Sequence, residues 1–262
     1  MNLRLIGKRA LVCGSTQGIG KAAAIELALL GAHITLIARN EESLKKTIQD
    51  LSIEHQQNHD YISVDFTQPE SLSEKVKEYI SKNGSINILV NNTGGPAGGP
   101  ITNATIEEFK QTFSNHLLCN HLLVQALLPG MKQTAFGRII NVISTSVKQP
   151  IPGLGVSNTI RAAVANWSKT LAGEVGQFGI TVNNVLPGAT KTIRLQSIIE
   201  NKANKNKVEI KTIEDEMLHE IPLHRFAAPE EIAAAIAFLA SPAAAYINGI
   251  NVPVDGGRTL NL

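Results

Sequence analysis

Apolar and polar positions fall in blocks along this chain, and the block lengths predict strands separated by helices. Residues 10–13, 33–38, 61–64, 86–90, 138–143, 180–186 and 250–254 are short, mostly apolar runs. Near-continuous runs of that kind are the pattern of strands buried on both faces. Between them lie segments of helical pattern at 21–30, 41–54, 105–128, 156–175 and 230–239, with a further helix opened by Pro69. Proline suits a first helical turn, where its missing N–H has no partner to lose. Thr105 followed by Glu108 predicts a capping box. Strands and helices in alternation predict an α/β domain, with a parallel sheet covered by helices on both faces. One segment departs from the pattern. Residues 193–225 are polar and charged, with a stretch Asn201-Lys-Ala-Asn-Lys-Asn-Lys207, and are expected to form a mobile helical lid inserted between two strand ends.

Composition narrows the partners more than the fold. A chain of 262 residues that is 43% hydrophobic suits one domain with a substantial core. A formal net charge of +2 creates no field that calls for nucleic acid or an anionic membrane. No apolar run approaches the ~20 residues needed to span a bilayer, and Arg4 and Lys8 interrupt the first residues where a targeting segment would be apolar. A cytoplasmic protein is expected. Cys13 and Cys119 sit in separate apolar runs and read as small core residues, so neither a disulfide nor a metal site is expected.

The chemistry begins at the end of the first strand. Residues 10–13 run into Gly14-Ser15-Thr16-Gln17-Gly18-Ile19-Gly20, and a helix follows. A strand feeding a glycine turn that opens a helix makes an anion site, because the first helical amides lack intrahelical partners and the helix dipole favours a phosphate. Gly14 is expected to turn tightly, Gly18 to allow close backbone approach, and Gly20 to seat helix against sheet. Other suggestive residues, Arg39, Asp65, Asn92, Ser144 and Pro187, also fall at strand ends, where open parallel sheets bind ligands. An acidic residue about 20 positions past the glycines would hold the ribose 2′-hydroxyl of NAD. Arg39 stands there instead, and a guanidinium pairs with the 2′-phosphate of NADP. NADP is the expected cofactor, with NAD the alternative.

Taken in order, the glycine turn, Asp65, Asn91-Asn-Thr-Gly94, Gly137-Arg-Ile-Ile-Asn-Val-Ile-Ser144, Pro187-Gly188 and Asn248-Gly-Ile-Asn-Val-Pro-Val-Asp-Gly-Gly257 resemble the short-chain dehydrogenase/reductase family. The layout is similar to that of the 3-oxoacyl-acyl-carrier-protein reductases. The resemblance implies a single Rossmann domain with a doubly wound parallel sheet of about seven strands. It implies hydride transfer to a carbonyl such as a 3-oxoacyl thioester, and a homotetramer joined through the 105–128 and 156–175 helices. The cofactor residues it implies are Gly14, Ser15, Gln17, Gly18, Ile19, Gly20, Arg39, Asp65, Phe66, Asn92, Gly94, Arg161, Pro187, Gly188 and Thr192.

The catalytic positions depart from that family. There Asn, Ser, Tyr and Lys carry the chemistry, the last two as Y-x-x-x-K. Ser144 matches the serine, but Ser157 and Arg161 stand at the tyrosine and lysine positions and His116 at the asparagine. A serine hydroxyl is far less acidic than a phenol and shorter in reach, and an arginine stays protonated. Loss of a general acid costs ~10²–10⁴ in rate. His116 is expected to titrate near neutrality and relay a proton. Arg161 is expected to hold the nicotinamide ribose or polarise an oxygen, and Ser157 to open a helix. Two readings stay open: an atypical NADP-dependent oxidoreductase, or an inactive relative that binds a dinucleotide or a protein partner.

Overall fold

The computed structural model describes residues 1–261. The chain runs β1 (Arg9–Cys13), α1 (Gly18–Leu29), β2 (His33–Ala38), α2 (Glu41–Ile48), β3 (Asp60–Ser63), α3 (Pro69–Asn83), β4 (Ile88–Asn91), α4 (Ile106–Phe113), α5 (Cys119–Gln133), β5 (Gly137–Val142), α6 (Gly155–Val175), β6 (Ile180–Pro187), α7 (Ile193–Asn206), α8 (Ile210–His219), α9 (Pro229–Ala240) and β7 (Asn251–Val254). Seven parallel strands form one sheet in the order β3-β2-β1-β4-β5-β6-β7. The chain winds outward from β1 in both directions, so the order reverses between β1 and β4, and a crevice opens there at the carboxyl ends of the strands. β7 lies at an edge, where Pro253 removes no ladder donor the sheet needs.

Each sheet face buries its own core. Ala22–Ala24, Leu27 and Ala28 of α1 with Ile232, Ile236 and Leu239 of α9 cover one face. Leu72 and Val76 of α3, Leu123, Leu127 and Met131 of α5, and Ala172 and Val175 of α6 cover the other. Within the sheet four asparagines lie side by side on β4, β5, β6 and β7. Asn91 Nδ2 donates to Asn141 (2.8 Å), Asn141 to Asn184 (2.9 Å), and Asn184 to Asn251 (2.8 Å). Each of these bonds satisfies an amide within the sheet, and Asn91 Oδ1, at the head of the row, is the one oxygen of the four left buried without a partner.

Two expectations need adjusting. The helix expected over 41–54 ends at Ile48, because the chain turns back so that Gln57, buried, can donate to the Ala28 carbonyl at 2.7 Å. The helix expected over 105–128 opens with the Thr105–Glu108 capping box, but it widens into a π-turn at Ser114–Leu118 and continues through Pro129 to Gln133. Residues 193–225 fold as α7 and α8, packed on one another through Leu195, Ile199, Ala203, Ile213 and Met217. A bridge between Thr190 and Ala227 closes the base of this insertion. No helix among the described residues is long and apolar enough to cross a membrane.

Candidate active site

The glycine turn has the shape of a cradle. Gly14 and Gly18 adopt φ +58° and +52°, a left-handed backbone that glycine enters without steric cost. A Cβ on Gly20 would strike the Gly14 carbonyl, and one on Gly14 would lie 2.6 Å from the Asn92 carbonyl. Asn92 holds the turn from below, its Nδ2 donating to Cys13 (3.2 Å) and Gly14 (3.3 Å). Gln17 at the N-cap of α1 makes no side-chain cap, and no acid lies in the first turn. The leading amides of α1 are thus left for an outside acceptor, and a dinucleotide phosphate fits that need. Ile19 packs on the core beneath the turn. Ser15, expected among the cofactor residues, is fully buried and donates to the Ile37 carbonyl at 3.3 Å. Its hydroxyl therefore anchors the turn to β2 and does not face the mouth.

Arg39, Asp65, Phe66, Gly94, Pro187, Gly188 and Thr192 end or follow the carboxyl ends of strands β2, β3, β4 and β6. Arg39, largely exposed, lies 3.9 Å from Asp65, whose other oxygen accepts from Thr67 N at 2.9 Å. Phe66 packs against the core around α5, and its carbonyl accepts from Cys119 Sγ at 3.3 Å. Pro187 ends β6, and Gly188 N donates to Val254 at 2.9 Å with Asp255 too close for a side chain at 188. Thr192 caps α7 by accepting from Leu195 N, and its methyl would stand 3.1 Å from a Cβ at Gly18. Gly94 lies exposed with open space around it.

His116, Arg161 and Ser144 lie at the ends of β4 and β5. Ser144 follows β5 by two residues and caps a short 3₁₀ turn, its Oγ accepting from Ser146 N at 3.1 Å. The hydroxyl hydrogen is left free to donate. Ser157 lies half-buried in the first turn of α6. Arg161 follows one turn later, 7% exposed, with Nη1 donating to the Val142 carbonyl at 2.9 Å. Burial and the nearby Arg194 guanidinium lower its pKa to about 10, so it keeps its charge at neutral pH. His116, on the π-turn, is 3% exposed and shares a hydrogen bond with the Thr93 hydroxyl. Burial first, then the Arg161 cation, push its pKa down to about 2. His116, expected to titrate near neutrality, is therefore a neutral imidazole at working pH, since a proton there would be both desolvated and repelled.

A family model described as enoyl-(acyl carrier protein) reductase matches residues 14–259. The chain belongs to the short-chain dehydrogenase/reductase family. NADPH-dependent reductase BacG of Bacillus subtilis is 31% identical over 251 residues, spanning 95% of this chain and 97% of the relative. The 3-oxoacyl-[acyl-carrier-protein] reductase FabG of Vibrio cholerae is 34% identical over 255 residues, spanning 97% and 98%. Among solved structures, L-sorbose reductase from Gluconobacter frateurii, complexed with NADPH and L-sorbose, superimposes with a TM-score of 0.93 at 33% identity, covering 100% of both chains.

One charged residue that the sequence pattern does not single out lies against the loop after β4. Arg194, in the first turn of α7, donates through Nη2 to the Pro96 carbonyl, and its guanidinium lies beside Gly95. It sat in a stretch whose mixed charges gave no direction. The usable signal was its place just after Thr192, at the entrance to the insertion that follows β6.

Proposed function

We propose that the protein is an NADP-dependent reductase of a small carbonyl compound. The observation that carries this reading is the uncapped N-terminus of α1 beneath a turn whose glycines leave no room for side chains. Gly14, Gly18, Gly20 and Thr192 would hold the dinucleotide's phosphates, Arg39 the 2′-phosphate, and Asn92, Gly94 and Gly188 the approach to the nicotinamide. NADPH held there would supply the hydride for the carbonyl carbon. Ser144 donates its free hydroxyl hydrogen to the carbonyl oxygen, which orients the substrate. Arg161 presents a permanent positive charge where that oxygen turns anionic, and preorganised charge of this kind lowers the barrier. Neither Ser157 nor the neutral His116 is an acid near pH 7, so the oxygen takes its proton from water. Turnover should consequently run ~10²–10⁴ below that of a site with a general acid.

Fluorescence titration with NADPH and NADH tests the cofactor half of this reading. NADPH oxidation on a carbonyl panel, 3-oxoacyl thioesters included, tests the other half. Replacing Ser157→Tyr together with Arg161→Lys should raise that turnover. Tight NADPH binding with no turnover before or after the double change would favour the second reading, a binding subunit, which the loss of the tyrosine and lysine supports.

A further inference from the structure

Two cations meet at this site without a counter-charge. Arg161 lies at the back, its Nε buried and without a hydrogen-bond partner. Arg194 lies at the mouth, held over the 94–96 loop by the Pro96 carbonyl. Arg161 donates to the Val142 carbonyl at the end of β5, and Arg194 to the Pro96 carbonyl in the loop that leaves the neighbouring strand β4; the charge of Arg194 adds to burial in weakening proton binding at Arg161. Arg225 holds Glu231 through two 2.6 Å contacts and Arg258 holds Glu220, while buried Arg138, also without a carboxylate, is met by the Gly137, Gly179 and Ser241 carbonyls. Among the described residues neither Arg161 nor Arg194 forms an ion pair. His116, between β4 and α6, is neutral and adds no anion. A buried guanidinium with an orphaned N–H, faced by a second cation, is costly until an anion arrives.

We infer that Arg161 and Arg194 form a seat for a free carboxylate on the substrate, which makes the substrate an oxo acid with its ketone near that carboxylate. The inference rests on the reductase reading above and narrows it. Guanidinium forks match the two oxygens of a carboxylate. A 2-oxo acid places its ketone oxygen within reach of the same fork, so one arginine serves both anchoring and polarisation. A 3-oxoacyl thioester carries no free carboxylate at its reacting end and leaves the seat unmatched. The cofactor's phosphates are the rival source of negative charge, but the uncapped α1 amides already provide for those.

Isothermal titration of the full chain, saturated with NADP⁺ so that no turnover occurs, separates these sources. The probes are 4-methyl-2-oxopentanoate, its methyl ester and inorganic phosphate. The acid should bind at least about 10-fold more tightly than the ester, since a hydrogen bond to a charged group contributes ~1.5–3 kcal/mol. Arg194→Gln should lose about 10-fold in acid affinity, keep NADPH affinity within about twofold, and leave the ester unaffected. Arg194→Lys should retain most of the acid affinity, which separates charge from any loss of fold. Equal affinity for acid and ester would overturn the seat. So would phosphate displacing the acid at equal concentration, or parallel loss of NADPH and acid affinity in Arg194→Gln. If the wild type binds no NADPH, the reductase reading fails, and the same acid and ester titrations on the cofactor-free chain then judge the seat by themselves.

Discussion

Arg39 and Asp65 face each other at 3.9 Å on an exposed rim, a separation at which an ion pair contributes little, so the guanidinium remains available to a 2′-phosphate. Arg39→Asp should weaken NADPH by at least about 10-fold while NADH gains, as read by the two dissociation constants; no change in either would remove Arg39 from the cofactor site. His116 gives a second test. Folding lowers its proton affinity, so between the ordinary value near ~6.5 and its folded value of about 2 the unfolded chain binds the extra proton. The neutral imidazole therefore stabilises fully above pH ~6.5, and stability falls as pH drops, by up to about 1.4 kcal/mol per unit. In His116→Asn, chemical unfolding between pH 6 and 4 should show a flatter acid limb than wild type. The glycine turn could be read from residue type and spacing, whereas Ser144 and Arg161 are singled out as catalytic positions only through the family resemblance. The behaviour of His116 could be read from neither, because it depends on how deeply the π-turn sinks the ring and on Arg161, 45 positions away in sequence (161 − 116).

The strands were legible because a parallel sheet buries both faces and writes itself as unbroken apolar runs. Helix limits were less so: nothing local in Ser114–Leu118 announces a π-turn, and the return of the chain after Ile48 answers to the distant Ala28 carbonyl. The α7–α8 insertion carries a test of its mobility. Its small separate core and the exposed, left-handed Lys207 between its helices (φ +55°) leave that junction weakly held. Trypsin should cut first at Lys205 or Lys207. NADPH should slow the cut, since Thr192 sits against Gly18 and cofactor there would tie the N-terminus of α7 to the turn. Cleavage elsewhere first, or at a rate indifferent to NADPH, would count against a lid.

For the whole molecule, the tetramer implied by family resemblance is a proposal, and burial separates the helix side chains that face the protomer's own core from those a partner could cover. Val164 is buried in the subunit, and Trp167 and Leu171 pack on its inner clusters, so these face the protomer's own core. Ile106, Phe113 and Leu118 are exposed, at 64%, 40% and 41%, and are the side chains a partner would cover. Light scattering at micromolar concentration should give a mass above that of one chain, and Phe113→Asp with Leu118→Asp should reduce it. A monomer in the wild type would end the proposal.

The four asparagines joined across β4, β5, β6 and β7 bear on how the sheet finds its alignment. Hydrophobic burial specifies register poorly where both faces of a strand are covered, since a slipped strand still presents apolar side chains to apolar neighbours. A slip in this half of the sheet would instead strand amides that now lie directly opposite one another, Asn91 beside Asn141, Asn141 beside Asn184, and Asn184 beside Asn251. Each unpaired buried amide costs ~1–3 kcal/mol. One half of the sheet is thus indexed by polar pairing and the other, β1 to β3, by packing and turns. Apolar exchanges should be absorbed readily on the β1–β3 side, whereas Asn141→Leu, which breaks the chain in its middle, should loosen the alignment of the strands that carry the catalytic rim.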